Sequence, residues 1–167
     1  MTGWVWPLAI VCACVWFAAE SAGLSQSPPR LHVRLLESQI HSGVTESHLR
    51  FLVISEQQRF LEVYNKIHAA TLQKPALPEV DFATQRVLVA LMGQKSTAGY
   101  AIQFGETALQ RQSLIEVTVR LSTPSQDAVL AQVMTSPYAL AVIERGTYTQ
   151  VKFVTEAGQV LEVLDVH

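Results

Sequence analysis

Lys95, Ser96 and Thr97, bracketed by Gly93 and Gly99, are the residues whose types most invite a chemical reading. A glycine-rich turn leading into Lys-Ser or Lys-Thr can cradle a phosphate, because close-set backbone amides and the lysine surround the anion. That geometry needs a glycine directly before the lysine and a second one upstream. Gln94 precedes Lys95, and the residues upstream, through Ala90, form an apolar run. The sequence therefore predicts a β-turn loop whose glycines supply positive φ. Lys95, Thr97 and Tyr100 are its expected exposed contacts to a partner, since loops on rigid sheets carry function.

The other titratable residues do not assemble a catalytic set. Asp81 has no second acid nearby in sequence, and general acid–base work needs paired groups. Its expected role is structural, hydrogen-bonding amides where a strand begins, with Phe82 plugging the core. None of His32, His41, His48, His68 and His167 forms a helical metal pair, and there is no HExxH. His41 and His48 flank a turn, and His68 reads as a helix-end cation near unpaired carbonyls. No Gly-x-Ser-x-Gly elbow marks a nucleophile. No catalytic residue, metal or cofactor is assigned, and the expectation is a protein that is not an enzyme. Ser136-Pro137 fixes an extended residue ahead of Tyr138. Tyr138 then serves either as a strand-edge aromatic or as an interface hot spot. Arg145 pairs with a carboxylate or sits at an interface.

These residues need a scaffold, and the composition allows one. The 167 residues are 49% hydrophobic and 16% charged, with a net charge of -2. That excludes disorder and lacks the basic footprint of a nucleic-acid binder. Trp4 to Ala19 is an uncharged apolar run, short for a spanning helix and suited to a secretory signal, although no Lys or Arg precedes it. Small residues near Ser21 offer cleavage points. The expected organisation is a signal peptide or N-terminal anchor over 1–23, a Ser- and Pro-rich linker over 24–30, and a single domain over 31–167. The expected location is periplasmic or secreted, with lipidation or retention of the leader as the route to a membrane. Both cysteines, Cys12 and Cys14, lie in the leader, so no disulfide is expected in the domain.

Within the domain, strands are expected at 31–37, 49–54, 86–92, 100–104, 114–121, 129–134, 138–144, 148–154 and 160–165. Residues 114–121 show the clearest alternation, with Ile115, Val117, Val119 and Leu121 on one face. One helix is expected from Glu56 to about Thr71, capped by Ser55 with Gln58 and burying Phe60, Val63, Tyr64 and Ile67. Arg145-Gly146 and Ala157-Gly158 are read as hairpin turns. The fold class expected is α+β, mainly an antiparallel β-sheet or small sandwich with one principal amphipathic helix packed on it.

Three features occur in order: Val80-Asp81-Phe82; Gly93 through Gly99-Tyr100; and Thr135-Ser136-Pro137-Tyr138 followed by Val142 to Arg145. Together they resemble the PrcB C-terminal-domain family, named after a subunit of a bacterial extracellular protease complex. Ala98 and Pro124-Ser125 depart from that pattern at turns. The resemblance implies an exported interaction domain, an accessory or modulatory subunit of an extracytoplasmic protease, and supplies no catalytic residues. On the reading of the residues themselves, the candidate partner-binding residues are Lys95, Thr97, Tyr100, Tyr138 and Arg145. The structural motif residues are Asp81, Phe82, Gly93, Gly99 and Pro137. The alternative is an envelope module that binds a small ligand or cell-wall component through the loop from Gly93 to Tyr100; a hydrolase without a recognisable signature is the third reading.

Overall fold

The computed structural model describes residues 28–125 and 127–166. The expected signal or anchor, and the linker up to Ser27, lie outside them. Eight strands form in chain order: β1 (Arg30–Gln39), β2 (Arg50–Ile54), β3 (Gln85–Leu91), β4 (Ala101–Arg111), β5 (Leu114–Ser122), β6 (Tyr138–Glu144), β7 (Gln150–Thr155) and β8 (Val160–Asp165). The one helix among the described residues, α1 (Gln57–Ile67), connects β2 to β3.

The strands make one sheet in the order β2-β3-β6-β1-β4-β5-β7-β8. All neighbours are antiparallel except β5 and β7, which run parallel. Register shifts interrupt β1 between Leu35 and Glu37, β4 between Phe104 and Ala108, and the β7–β8 pair at Phe153/Val154. Such bulges bend strands and increase their twist, which is how a sheet curls toward closure. Here the two edge strands meet. Phe51 of β2 stacks on Phe153 of β7 with ring centroids 4.3 Å apart. The Phe51 amide donates to the Glu162 carboxylate of β8 at 3.3 Å.

The α+β expectation is thereby overturned. Strand takes up 46% of the structure and helix 8%, and the sheet is a nearly closed, barrel-like one rather than a flat layer or sandwich. The bulges supply the curvature that a helix layer would otherwise have to cover. Val33, Phe51, Leu88, Ile102, Ile115, Val117, Val119 and Phe153 fill the interior. The helix covers only part of the outer wall, where Phe60, Val63, Tyr64 and Ile67 pack on Val87, Val89, Leu140 and Val142. Strands β3 and β6 are thus buried on both faces, and their near-continuous apolar sequences follow from that.

Four local expectations also fail. Residues 129–134 form no strand; only Thr135 makes a single bridge, to Lys95. Arg145-Gly146 is no hairpin turn, because β6 lies between β3 and β1 whereas β7 lies between β5 and β8. The chain there crosses the end of the barrel, and buried Tyr148 plugs it. Glu56, not Ser55, occupies the helix N-cap and makes no side-chain cap. The Ser55 hydroxyl instead accepts from Arg86 Nε at 3.3 Å. The helix stops at Ile67, whose carbonyl accepts the Gly43 amide.

Candidate functional site

The segments 40–49, 92–100, 123–125 and 127–137 all lie at one end of the barrel, where β1, β3 and β5 finish and β2, β4 and β6 start. Gly93, at φ 78°, turns the chain off β3 against the backbone of Ser47 and His48. The Gln94 amide then donates to the Glu46 carbonyl at 2.9 Å. Lys95 and Thr135 exchange two backbone hydrogen bonds of 2.8 and 2.9 Å, and the Ala98 amide donates to the Ala131 carbonyl at 3.1 Å. The Thr135 hydroxyl donates to the Thr97 carbonyl at 3.1 Å. Gly99, also at positive φ, brings the chain close to Pro124. The amides of Gln94, Lys95 and Ala98 are therefore engaged in holding the loop against its neighbours.

Ser136 locks the third segment in place. Its amide donates to the Ile40 carbonyl at 2.9 Å. Its hydroxyl donates to the Val44 carbonyl at 3.0 Å and so accepts from the Ser42 hydroxyl at 2.8 Å. Thr135 and Ser136 are both buried. Both belong to a motif the sequence singles out, but their partners there lie far away in sequence and carry no local signal. Pro137 is buried as well, and its carbonyl accepts the Met92 amide at 2.8 Å. Lys95, Thr97 and Tyr100, expected as exposed contacts, are half-buried; the Lys95 ammonium lies 5.7 Å from the Tyr100 ring centroid in a cation–π contact, and Tyr100 also packs against the interior core. The segments at this end also carry exposed Ile40, Val129, Val133 and Met134.

Two of the five candidate contacts are placed elsewhere. Arg145 lies at the opposite end, exposed, donating to the Ser55 carbonyl at 2.7 Å. Tyr138 is buried in the outer wall and presents no face to a partner. Its hydroxyl donates to Glu37 Oε1 at 2.5 Å, and Glu37 Oε2 lies 3.3 Å from Nε2 of buried His68. The β1 bulge re-aims Glu37 toward this pair. His68 caps α1, but its ring goes to Glu37, Tyr64 and Tyr138 rather than to helix-end carbonyls. A cavity of about 360 Å³, lined also by Gln39, His41, Thr71 and Gln73, opens beside them. No cluster of His, Cys, Asp or Glu suited to a metal occurs among the described residues. Asp81 takes the structural place expected of it: its carboxylate accepts from the Ala83 amide and the Thr84 hydroxyl, bonds that hold it below the usual carboxylate range. Phe82 packs against Phe60.

Burial, reinforced by the bond to Glu37, pushes the Tyr138 hydroxyl far above its ordinary value. Burial also raises Tyr64, with the Glu37 charge adding to it, and raises Tyr148 against the opposing pull of Arg86. An unfolded tyrosine ionises near pH 10, whereas these three stay protonated in the fold. Above that pH the unfolded chain binds fewer protons than the folded one, so stability falls as pH rises. The tyrosine contribution is fully present below about pH 10 and disappears across the window up to the raised folded values. Urea unfolding between about pH 8 and 11 is expected to show this decline, and Tyr138→Phe to lessen its slope by up to one proton. An unchanged slope in that variant would remove Tyr138 from the set.

The PrcB C-terminal family, by its family model, matches residues 86–144. The resemblance is thus borne out over the stretch from β3 to β6, which contains the Gly93–Tyr100 loop and the Thr135–Tyr138 segment, while Val80-Asp81-Phe82 and Arg145 lie outside the match. Strands β1, β2, β7 and β8 and helix α1 lie outside the match yet complete the barrel. No curated protein and no solved structure matches the chain.

Proposed function

We propose that this chain is an exported, non-catalytic interaction domain that serves as an accessory or modulatory subunit of an extracytoplasmic protease, binding through the loop end of its barrel. The observation that carries the reading is the convergence there of the family-matched loops. Hydrogen bonds tie them together, while Ile40, Val129, Val133 and Met134 remain exposed on the segments of the same end as Lys95 and Tyr100. Rigid loops bearing apolar side chains beside an aromatic–cation pair are what a protein interface uses, since little ordering entropy is lost on binding. The family name supports association with a protease complex.

The test is capture from an envelope extract with the full chain tagged at its C-terminus, followed by affinity measurement with the protease retained. Tyr100→Ala and Met134→Asp are each expected to weaken binding by about 2 kcal/mol, roughly 30-fold in Kd. Arg145→Ala, at the far end, is expected to leave binding unchanged. Capture of no protease, or equal loss from all three variants, would refute the reading.

A further inference from the structure

On the outer wall, between α1 and the start of β2, the helix leaves a half-open groove of about 290 Å³. Its floor is aliphatic: Val44, Leu52, Val63, Ile67 and Leu91. Its rim is charged and mostly self-paired. Arg50 meets Glu46 at 3.9 Å, and Arg59 meets Glu62 at 3.0 Å. Lys66, also on the rim, makes no ion pair among the described residues. The rim thus has one cation in excess on a chain whose net charge is -2.

We propose that this groove receives an extended segment of a protein partner in which one or two aliphatic side chains fill the floor and an adjacent acidic side chain meets Lys66. Apolar filling supplies the affinity, and the unpaired ammonium selects the charge of the neighbouring residue. The paired rim groups distinguish a peptide from an acyl chain: Glu46 and Glu62 can accept from peptide amides, and Arg50 and Arg59 can donate to peptide carbonyls, whereas a hydrocarbon chain offers neither. The half-open shape agrees, since a long acyl chain would lie largely in water. The groove adjoins the loop end through Val44, Glu46, Arg50 and Leu91, but Lys95, Tyr100 and Met134 do not line it, and the proposal stands without the reading given for them.

The probe is a fluorescein-labelled heptapeptide, Gly-Ser-Leu-Ile-Asp-Ser-Gly amide, titrated by fluorescence polarisation against the full chain, alongside the same peptide with Lys in place of Asp. The wild-type chain is expected to favour the Asp peptide about tenfold. Lys66→Glu is expected to reverse that preference, and Leu52→Ser to weaken both peptides about tenfold or more. A cation in the last turn of a helix also meets the helix carbonyls. The reversal reads the charge of the ligand and is not produced by that local role. Absence of binding at about 1 mM, or a preference unmoved by Lys66→Glu, would overturn the proposal. So would saturation by decanoate where neither peptide binds, which would assign the groove to acyl chains. Capture through the loop end that persists when the peptides fail would remove this groove alone.

Discussion

Phe153→Ala is expected to cost about 3–5 kcal/mol of unfolding free energy, the range for removing a fully buried phenylalanine ring. Phe153 is inaccessible to solvent, stacks on Phe51 and lies 6.3 Å from the Phe104 ring. Its position makes the loss more than an ordinary cavity. Phe51 belongs to the first strand of the sheet and Phe153 to the strand next to the last, so the stacked pair joins the two ends of the curled sheet. A double-mutant cycle separates closure from burial. Phe51→Leu and Phe153→Leu each keep most of the apolar volume, and their coupling is expected to be about 0.5–1.5 kcal/mol if the rings stack. Coupling within error of zero would mean that the ends do not meet and the sheet is open. Glu162→Gln should leave that coupling intact while weakening only the bond to the Phe51 amide.

Closure was the part of the fold that the sequence hid. Strand β5 was plain because its two faces differ: Ile115, Val117 and Val119 point into the barrel, and Arg120 faces outward. Strands β3 and β6 were legible as buried runs because the barrel interior and helix α1 each cover one face. The one extra residue in β1 and the two in β4 leave no compositional mark, so those bends could not be read from hydrophobic spacing. The parallel pairing of β5 with β7 depends on which strands meet in space, and local pattern is silent on that. Residues 129–134 show the opposite error. Their apolar side chains imitate a strand, but Val129, Val133 and Met134 are exposed. Apolar periodicity reports burial only when something covers the residues.

The loop end was half legible. Glycines report backbone need directly, so Gly93 and Gly99 could be assigned positive φ from sequence, and both have it. Lys95 and Tyr100 were likewise named together. What the sequence could not show is that Lys95 pairs with Thr135 and that Ser136 reaches Ile40 and Val44, contacts spanning about 40 to 96 positions of chain. The Glu37–Tyr138–His68 network was hidden for the same reason: its members come from β1, the start of β6 and the end of α1. Tyr138 is therefore neither the strand-edge aromatic nor the interface hot spot that its sequence setting suggests: it is buried, and its hydroxyl is satisfied inside the wall.

Gly93→Ala is the second large loss expected, and Gly158→Ala is its internal control. The two glycines have nearly the same backbone, φ 78° and 80°. A residue with a Cβ held in that region costs about 1–3 kcal/mol. At Gly158 nothing lies within 4 Å of the added carbon, so that conformational cost is all that is expected there. At Gly93 the added carbon would fall 2.6 Å from the Ser47 carbonyl carbon, 2.7 Å from its oxygen and 2.9 Å from the His48 amide nitrogen. All three are backbone atoms, so no side chain can swing aside. Relief requires the 40–49 segment to move away, which breaks the Gln94–Glu46 bond and costs a further 1–3 kcal/mol or so of the overpacking kind. Urea unfolding of both variants gives the comparison directly. Gly93→Ala should be less stable than Gly158→Ala by about 1–3 kcal/mol. It should also weaken capture of the partner proposed for the loop end, because Lys95 is anchored two residues downstream, whereas Gly158→Ala should not. Equal losses from the two substitutions would show that the 93–100 loop does not rest on the Ser47–His48 backbone, and the rigidity on which the loop-end reading depends would go with it.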